Sequence, residues 1–519
     1  MEQTSRPHAP TAPGGENAPL TGGMLVAAAL VLVSANFIAV LDTTIANVSV
    51  PNIAGGLGAT SSQGTYVITS YAVAEAITVP LTGWLAGRFG AVRVFVSAMI
   101  LFGLFSALCG LASSLNMLVL FRIFQGLAGG PLMPLSQTLL LRIFPKEKAG
   151  AAIGLWSMTT LIAPILGPIL GGVLCDNWSW PLIFYINVPV ALICGYLGWQ
   201  LLRRYESSLR RVRIDVVGLL LLITWVGALQ LMLDEGKDYD WFASTHIQVL
   251  AAVAAIGFIA FLIWELTEAH PIVALRVFRH RGYAASVLTI SLAFGAFFGA
   301  TVLTPLWLQN YMGYTATSAG YVSAMMGILA VLVAPLAAGL STRVDPRPLV
   351  FFGVIWLGTI TLIRTYANVE MTFWDIAWPL LLQGIGMPFF FVPLTGLALS
   401  SVNPEEMESA AGVMNFMRTL SGAFATSVVT TSWEEQTRYI HSELAGLTDR
   451  LGDSLAILQQ QGFSLEQARN LLDQQLQGQS VMLATNQIFL FTGIAFFIAA
   501  FAIWLAPKPA RLVDAAGVH

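Results

Sequence analysis

Three ionisable residues interrupt apolar stretches in the first quarter of the chain: Asp42, Glu75 and Arg122. Each costs about 2.5–3.5 kcal/mol on insertion scales if it sits in hydrocarbon, so such residues default to function. The chemistry open to them is proton transfer. Asp42 lies nine residues before Pro51, and Arg122 lies seven after Leu115, each counted from the same end of its apolar run. At about 1.5 Å per residue the two reach similar depths and can pair. A pair that makes and breaks loads and releases a proton; the plainer alternative is a static ion pair joining two helices. Glu75, one turn from Tyr71, is a second proton carrier, an anionic site for a cationic substrate, or a polar residue bonded to a neighbouring helix.

Composition says what must position these groups. The 519 residues are 56% hydrophobic and only 10% charged, with mean hydropathy +0.73. Soluble domains carry roughly 25% charged residues, so most of this chain faces lipid or a buried bundle. A net charge of −3 offers nothing to nucleic acid. Cys109, Cys175 and Cys194 read as small packing residues.

Apolar segments of spanning length recur at 24–49, 63–84, 92–112, 115–141, 150–174, 181–202, 214–233, 246–267, 283–308, 318–341, 348–366, 373–400, 408–432 and 482–506. They predict fourteen transmembrane helices, numbered here in that order, in an all-α membrane protein. Residues 1–23 read as a disordered tail without a signal peptide, and 507–519 as a second tail. Eighteen Lys and Arg residues fall on the side of the N-terminus, against five on the other: Lys237, Arg364, Arg438, Arg450 and Arg469. The positive-inside rule then puts both termini in the cytoplasm. Residues 433–481 form a long, Gln-rich outer loop. Within it Ser464-Leu-Glu-Gln467 matches a capping box that opens a helix with Ala468, Leu471 and Leu472 on one side. The loop is either a solvated hairpin or a docking surface for a periplasmic partner.

The chain repeats itself. Pro134-Leu-Ser136 recurs as Pro393-Leu-Thr395, and Pro145-Lys-Glu147 as Pro404-Glu-Glu406, both at an offset of 259. Helix 4 therefore matches helix 12, and helix 5 matches helix 13. Two parallel six-helix halves, 24–202 and 283–506, flank an inserted pair in 203–282. Parallel repeats hold substrate at their interface and rock around it, which favours a transporter over a channel. Trp156 and Asn415 correspond under the offset, and Gln125 and Gln383 nearly so. With Arg418, buried in helix 13 and in need of a carboxylate, carbonyl groups or substrate, they line a cavity or simply pack.

Three motifs add a family resemblance. The first is the hairpin Gly83-Trp-Leu-Ala-Gly-Arg88-Phe-Gly90-Ala-Val-Arg93; the second is the helix-4 arginine, Arg122. The third is Ala163-Pro164-x-x-Gly167-Pro168-x-x-Gly171-Gly172, whose prolines remove helix hydrogen bonds and whose glycines admit a close neighbour. With Leu41-Asp42-Thr-Thr44 and Phe184-Tyr-Ile-Asn187-Val-Pro189, they resemble the major facilitator superfamily, and within it the fourteen-helix EmrB/QacA group of drug:proton antiporters. The likeness runs from residue 24 to 506; Gly87 stands where the wider superfamily often has aspartate.

The resemblance implies a proton-driven multidrug exporter in a bacterial inner membrane, with lipophilic substrates and no cofactor beyond the proton gradient. It also implies an EmrA-like periplasmic adaptor and a TolC-like outer-membrane channel. It assigns proton coupling to Asp42, Glu75 and Arg122, gating to the Gly/Pro motif on helix 5, and the loop motif to Gly83, Arg88, Gly90 and Arg93. Tyr71, Gln125, Trp156, Gln383, Asn415 and Arg418 are the candidate substrate contacts. A proton-coupled importer of a small metabolite would share the repeat and buried charges, but the Gly167-Pro168 motif and the helix count argue against it. An enzyme would need a convergent site, whereas all six histidines lie in tails, loops or helix ends.

Overall fold

The computed structural model describes residues 20–508, apart from 60, 65, 146–147, 208, 210–213, 237–238, 342 and 447–450. The two expected tails fall almost wholly outside these residues. Each expected segment is helical over most of its length. Helix 1 is Gly22–Gly56, helix 3 Ala91–Gly110, helix 5 Ala149–Asn177 and helix 7 Val216–Glu235. Helix 4 runs as Leu115–Gly129 and Leu132–Ile143, interrupted at Gly130-Pro131, where a proline cannot supply the next N–H. Helix 6 is likewise in two pieces, Leu182–Tyr185 and Asn187–Leu202.

Eleven stretches among the described residues are long and apolar enough to cross a membrane, twelve if helix 5, bent by 41° around its prolines, counts as one. Helices 2 and 13 fall short of that measure for physical reasons. Helix 2 breaks at Pro80 into Tyr66–Thr78, a 3-10 turn Val79–Leu81, and Thr82–Phe89. Helix 13, Met407–Gly446, has the length but carries Glu408, Asn415 and Arg418 along its apolar part.

Helix boundaries in the structure keep close to the 259-residue offset. Helix 4 ends at Ile143 and helix 5 starts at Ala149; helix 12 ends at Ser400 and helix 13 starts at Met407. Inserted helix 7 lies against both helix 2 and helix 13. There Leu222, Trp225 and Val226 pack with Ile77 and Val79 on one side and Val413 and Phe416 on the other. Helix 7 thus bridges helices 2 and 13 on that side.

The expected hairpin at Gly83 is tighter than the sequence predicted. Helix continues to Phe89, and Gly90 alone makes the turn into helix 3, at φ 98°. That left-handed conformation suits glycine, and a Cβ there would also meet the Glu206 carboxylate. Glu206 accepts hydrogen bonds from the backbone N–H of Val92 (2.9 Å) and Arg93 (3.1 Å), a negative charge on a helix N-terminus.

The long segment 433–481 is a correction. Expected as a polar loop with a short helical hairpin, it is helical over longer stretches: helix 13 continues to Gly446, and helix 14, Leu465–Ala502, begins well before the expected 482. A short helix, Leu451–Gln460, lies between them. The capping box forms as read: Ser464 Oγ accepts from Gln467 N at 3.2 Å, and Gln467 Oε1 accepts from Ser464 N at 2.9 Å. The 40 residues of helix 13 span about 60 Å. A hydrocarbon core is about 30 Å thick, so the helix projects far beyond it. His441 meets Asp473 at 3.2 Å between the projecting arms.

Candidate functional site: a buried carboxylate cluster and the seam between the halves

Asp42 and Arg122 do pair. Arg122 Nη1 donates to Asp42 Oδ2 at 2.5 Å, and both side chains are fully buried. The other carboxylate oxygen, Oδ1, accepts from Asn187 Nδ2 at 2.7 Å and Gln125 Nε2 at 3.1 Å. Asn187 also reaches Ser106 Oγ at 3.2 Å, and that hydroxyl donates to the Phe184 carbonyl at 2.8 Å. Four helices therefore converge on one carboxylate: helix 1 supplies it, and helices 3, 4 and 6 supply the donors and their support.

Helix 2 completes the cage. Arg122 Nε donates to the Val67 carbonyl at 3.0 Å, and the guanidinium stands 4.2 Å from the Tyr71 ring centroid. The approach depends on Gly126, where a Cβ would stand 2.5 Å from the Tyr71 carbonyl oxygen. Tyr71 and Gln125, both candidate substrate contacts, take part in this cluster. Glu75 is buried one turn along helix 2 and accepts no hydrogen bond from the described residues.

Helix 5 packs on the helix that carries Asp42. A Cβ at Gly167 would collide with Thr44 Oγ1, and one at Gly171 would stand 2.9 Å from the Ile45 carbonyl oxygen. The Gly/Pro motif therefore sits two to three residues along helix 1 from the buried carboxylate. Pro164 and Pro168 lie inside this helix, as read from the sequence.

The remaining candidates divide. Trp156 and Arg418 come together between the halves: the guanidinium stands 5.7 Å from the Trp156 ring, 5.1 Å from Phe294 and 5.6 Å from Phe391, and contacts Met133 Sδ. No carboxylate pairs with it among the described residues. Asn415 Nδ2 donates to Gln137 Oε1 of the other half at 3.1 Å. Among the described residues, Gln383 is buried with both amide atoms unpartnered, as are Arg418 Nη1, Gln137 Nε2 and Asn415 Oδ1. Unmet polar groups between apolar helices are costly.

The loop motif marks where the halves are clasped. A Cβ at Gly83 would run into Ser409 of helix 13, and one at Gly412 would stand 3.0 Å from the Val79 carbonyl oxygen. Arg142, at the end of helix 4, forms an ion pair with Glu408 at the start of helix 13. Gly87 has open space around it and takes no part in this clasp, to which the motif contributes Gly83. Arg93 lies 3.9 Å from Glu206, at the start of the inserted region.

Sequence reasoning missed Asn187, Ser106 and the Arg142–Glu408 pair. Asn187 stands within the Phe184–Pro189 motif, but the motif does not name Asp42 as its partner. Arg364, counted with the outer basic residues at the end of segment 348–366, is buried.

With this geometry established, comparison decides the family. A profile described as Major Facilitator Superfamily matches residues 32–426. The chain is 43% identical to "Multidrug export protein EmrB" of Escherichia coli K12, over 95% of this chain and 97% of that one. The chain belongs to the major facilitator superfamily, EmrB/QacA type. Within that family it is a multi-pass transporter rather than an enzyme. It is also 41% identical to "Fatty acid resistance protein FarB" of Neisseria gonorrhoeae, over 95% of this chain and 98% of that one. Among solved structures it resembles the proton:xylose symporter XylE, with a TM-score of 0.58 at 13% identity, covering 93% of this chain and 96% of that one. That likeness extends to the fold alone.

Proposed function

We propose that this chain is a proton-driven exporter of amphipathic, drug-like molecules with fourteen spans, the inner-membrane member of a tripartite efflux assembly. The observation that carries the reading is the fully buried Asp42, held by Arg122, Gln125 and Asn187. A proton arriving on Oδ2 removes the acceptor and the charge that hold Arg122. Leaving one partner of a buried pair alone costs about 3–5 kcal/mol. Moving a two-state population from 1:99 to 99:1 takes about 5.5 kcal/mol, a comparable amount, so protonating Asp42 is sufficient to bias the rocking of the halves. Glu75, on the same helix as Tyr71, is a second candidate proton carrier.

The seam supplies the substrate path in this reading. Trp156, Phe294 and Phe391 offer aromatic surface, and Arg418, Asn415, Gln137 and Gln383 offer polar contacts. With the basic end in the cytoplasm, the Arg142–Glu408 clasp closes the inner side and the arrangement faces outward. Bending of helix 5 against helix 1 couples the gate to Asp42. Curated relatives named for multidrug export support the substrate class. The projecting arms of helices 13 and 14 suit an adaptor of EmrA type, with a TolC-type channel beyond it.

Proteoliposomes with an imposed pH gradient test the reading, using a panel of lipophilic compounds. Gradient-driven accumulation of several unrelated compounds in the direction opposite to proton flow supports it. Co-directional uptake of one polar metabolite would replace it with an importer.

A further inference from the structure

Away from the seam, at the end of the bundle opposite the basic residues, a cavity of about 470 Å³ opens in the C-terminal half. It lies among helices 9, 11, 12 and 14, and its size is that of a small-molecule site. Arg364 lines it and is 6% exposed. Its contacts are a neutral hydroxyl, Thr304 Oγ1, and the face of Phe489, 4.0 Å from the guanidinium carbon. No carboxylate pairs with it among the described residues. A buried guanidinium left without a counter-ion is costly, and its planar fork matches phosphate oxygens.

The rest of the cavity is graded in polarity. Trp307, Ile363 and Phe489 give apolar wall, whereas Glu370 and Asp375 bring carboxylates to the exposed rim. Tyr366 and Trp378 stand exposed beside them, in the manner of aromatic residues that settle at a membrane–water interface. A group with a negative charge inside, a positive tip outside and a hydrocarbon tail fits that order.

We propose that this cavity holds the head group of a zwitterionic phospholipid from the surrounding bilayer, with Arg364 on the phosphate and Glu370 and Asp375 facing the ammonium. The lipid tail lies along the Ile363 and Trp307 wall. The site is separate from the seam between the halves and does not depend on the transport reading.

The test is native mass spectrometry of the full chain released from nanodiscs of equimolar phosphatidylethanolamine and phosphatidylglycerol. The expected result is one retained phosphatidylethanolamine per protein, favoured at least threefold over phosphatidylglycerol. Arg364→Gln should reduce that occupancy at least tenfold. Met371→Trp, which fills the cavity and leaves Arg364 in place, should do the same and decides the matter if the arginine variant misfolds. Retention indifferent to head group, or unchanged in a folded cavity-filling variant, overturns the proposal.

Discussion

Asn415 and Gln137 are 278 positions apart in sequence and meet at 3.1 Å across the seam between the two halves. Their contact lies toward the same end as the Arg142–Glu408 pair and the Gly83–Ser409 approach. The helices of the two repeats are therefore held together at the basic end by a hydrogen bond, an ion pair and a glycine contact.

The clasp predicts a conformational shift. Glu408→Gln removes the charge from a largely buried ion pair, and hydrogen bonds to charged groups contribute about 1.5–3 kcal/mol. The population with its basic end open should rise by roughly ten- to a hundredfold. Spin labels on the end of helix 4 and the start of helix 13 read this as a longer distance component. The exchange Arg142→Glu with Glu408→Arg should restore the short distance; an unchanged distribution in the single variant would show that the pair holds nothing.

Gly171 makes a separate prediction. Gly171→Val pushes a branched side chain into the Ile45 carbonyl and lifts helix 5 from helix 1. If the packed motif seals the proton path, passive pH equilibration in substrate-free liposomes should speed up several-fold while the protein remains folded. Leak equal to that of the native chain would leave the motif as a packing seam.

Arg122 is predicted to tolerate little. Arg122→Ala deprives Asp42 of its cationic partner and should eliminate uphill transport. Arg122→Lys should recover only part of it, because an ammonium cannot reproduce contacts to Asp42, Gln125 and Val67 together. Initial transport rates in proteoliposomes, compared at equal protein, give the ordering; full activity with lysine would reduce the site to a point charge.

The projecting arms carry their own test. Replacing residues 440–476 with a short Gly/Ser linker shortens helices 13 and 14 outside their apolar parts, and loop length itself costs little entropy. Transport by the isolated protein should survive while drug resistance of cells is lost. Equal loss of both would assign the arms to folding or the transport cycle; loss of neither would make them dispensable.

Much of the fold was legible because hydropathy and the 259-residue offset are one-dimensional signals. Helix ends at Ile143 and Ser400 follow the repeat closely. The Asp42–Arg122 pair was also legible, since depth is rise per residue counted from a helix end. What polarity hides is helix continuity: Gln-rich residues after Trp433 read as loop, although the capping box at Ser464 already marked a helix start. Rotational position was the other blind spot. Nothing in the sequence says that Gln125 turns toward Asp42 while its near-counterpart Gln383 stays unpartnered. The burial of Arg364 was not legible, because it comes from the packing of helices 9, 11 and 14 and not from its place at the end of an apolar run.

The central claim is that Asp42 carries the coupling proton, and Asp42→Asn in proteoliposomes tests it most directly. The neutral amide keeps the size of the side chain and one acceptor oxygen; its NH2 cannot accept from the donors around Asp42, and it cannot take up or release the proton. The account predicts that the variant still binds substrate and exchanges it by counterflow. It also predicts that pH-gradient-driven accumulation and substrate-induced proton release both vanish. Accumulation by Asp42→Asn at the level of the native chain under the same gradient would contradict it.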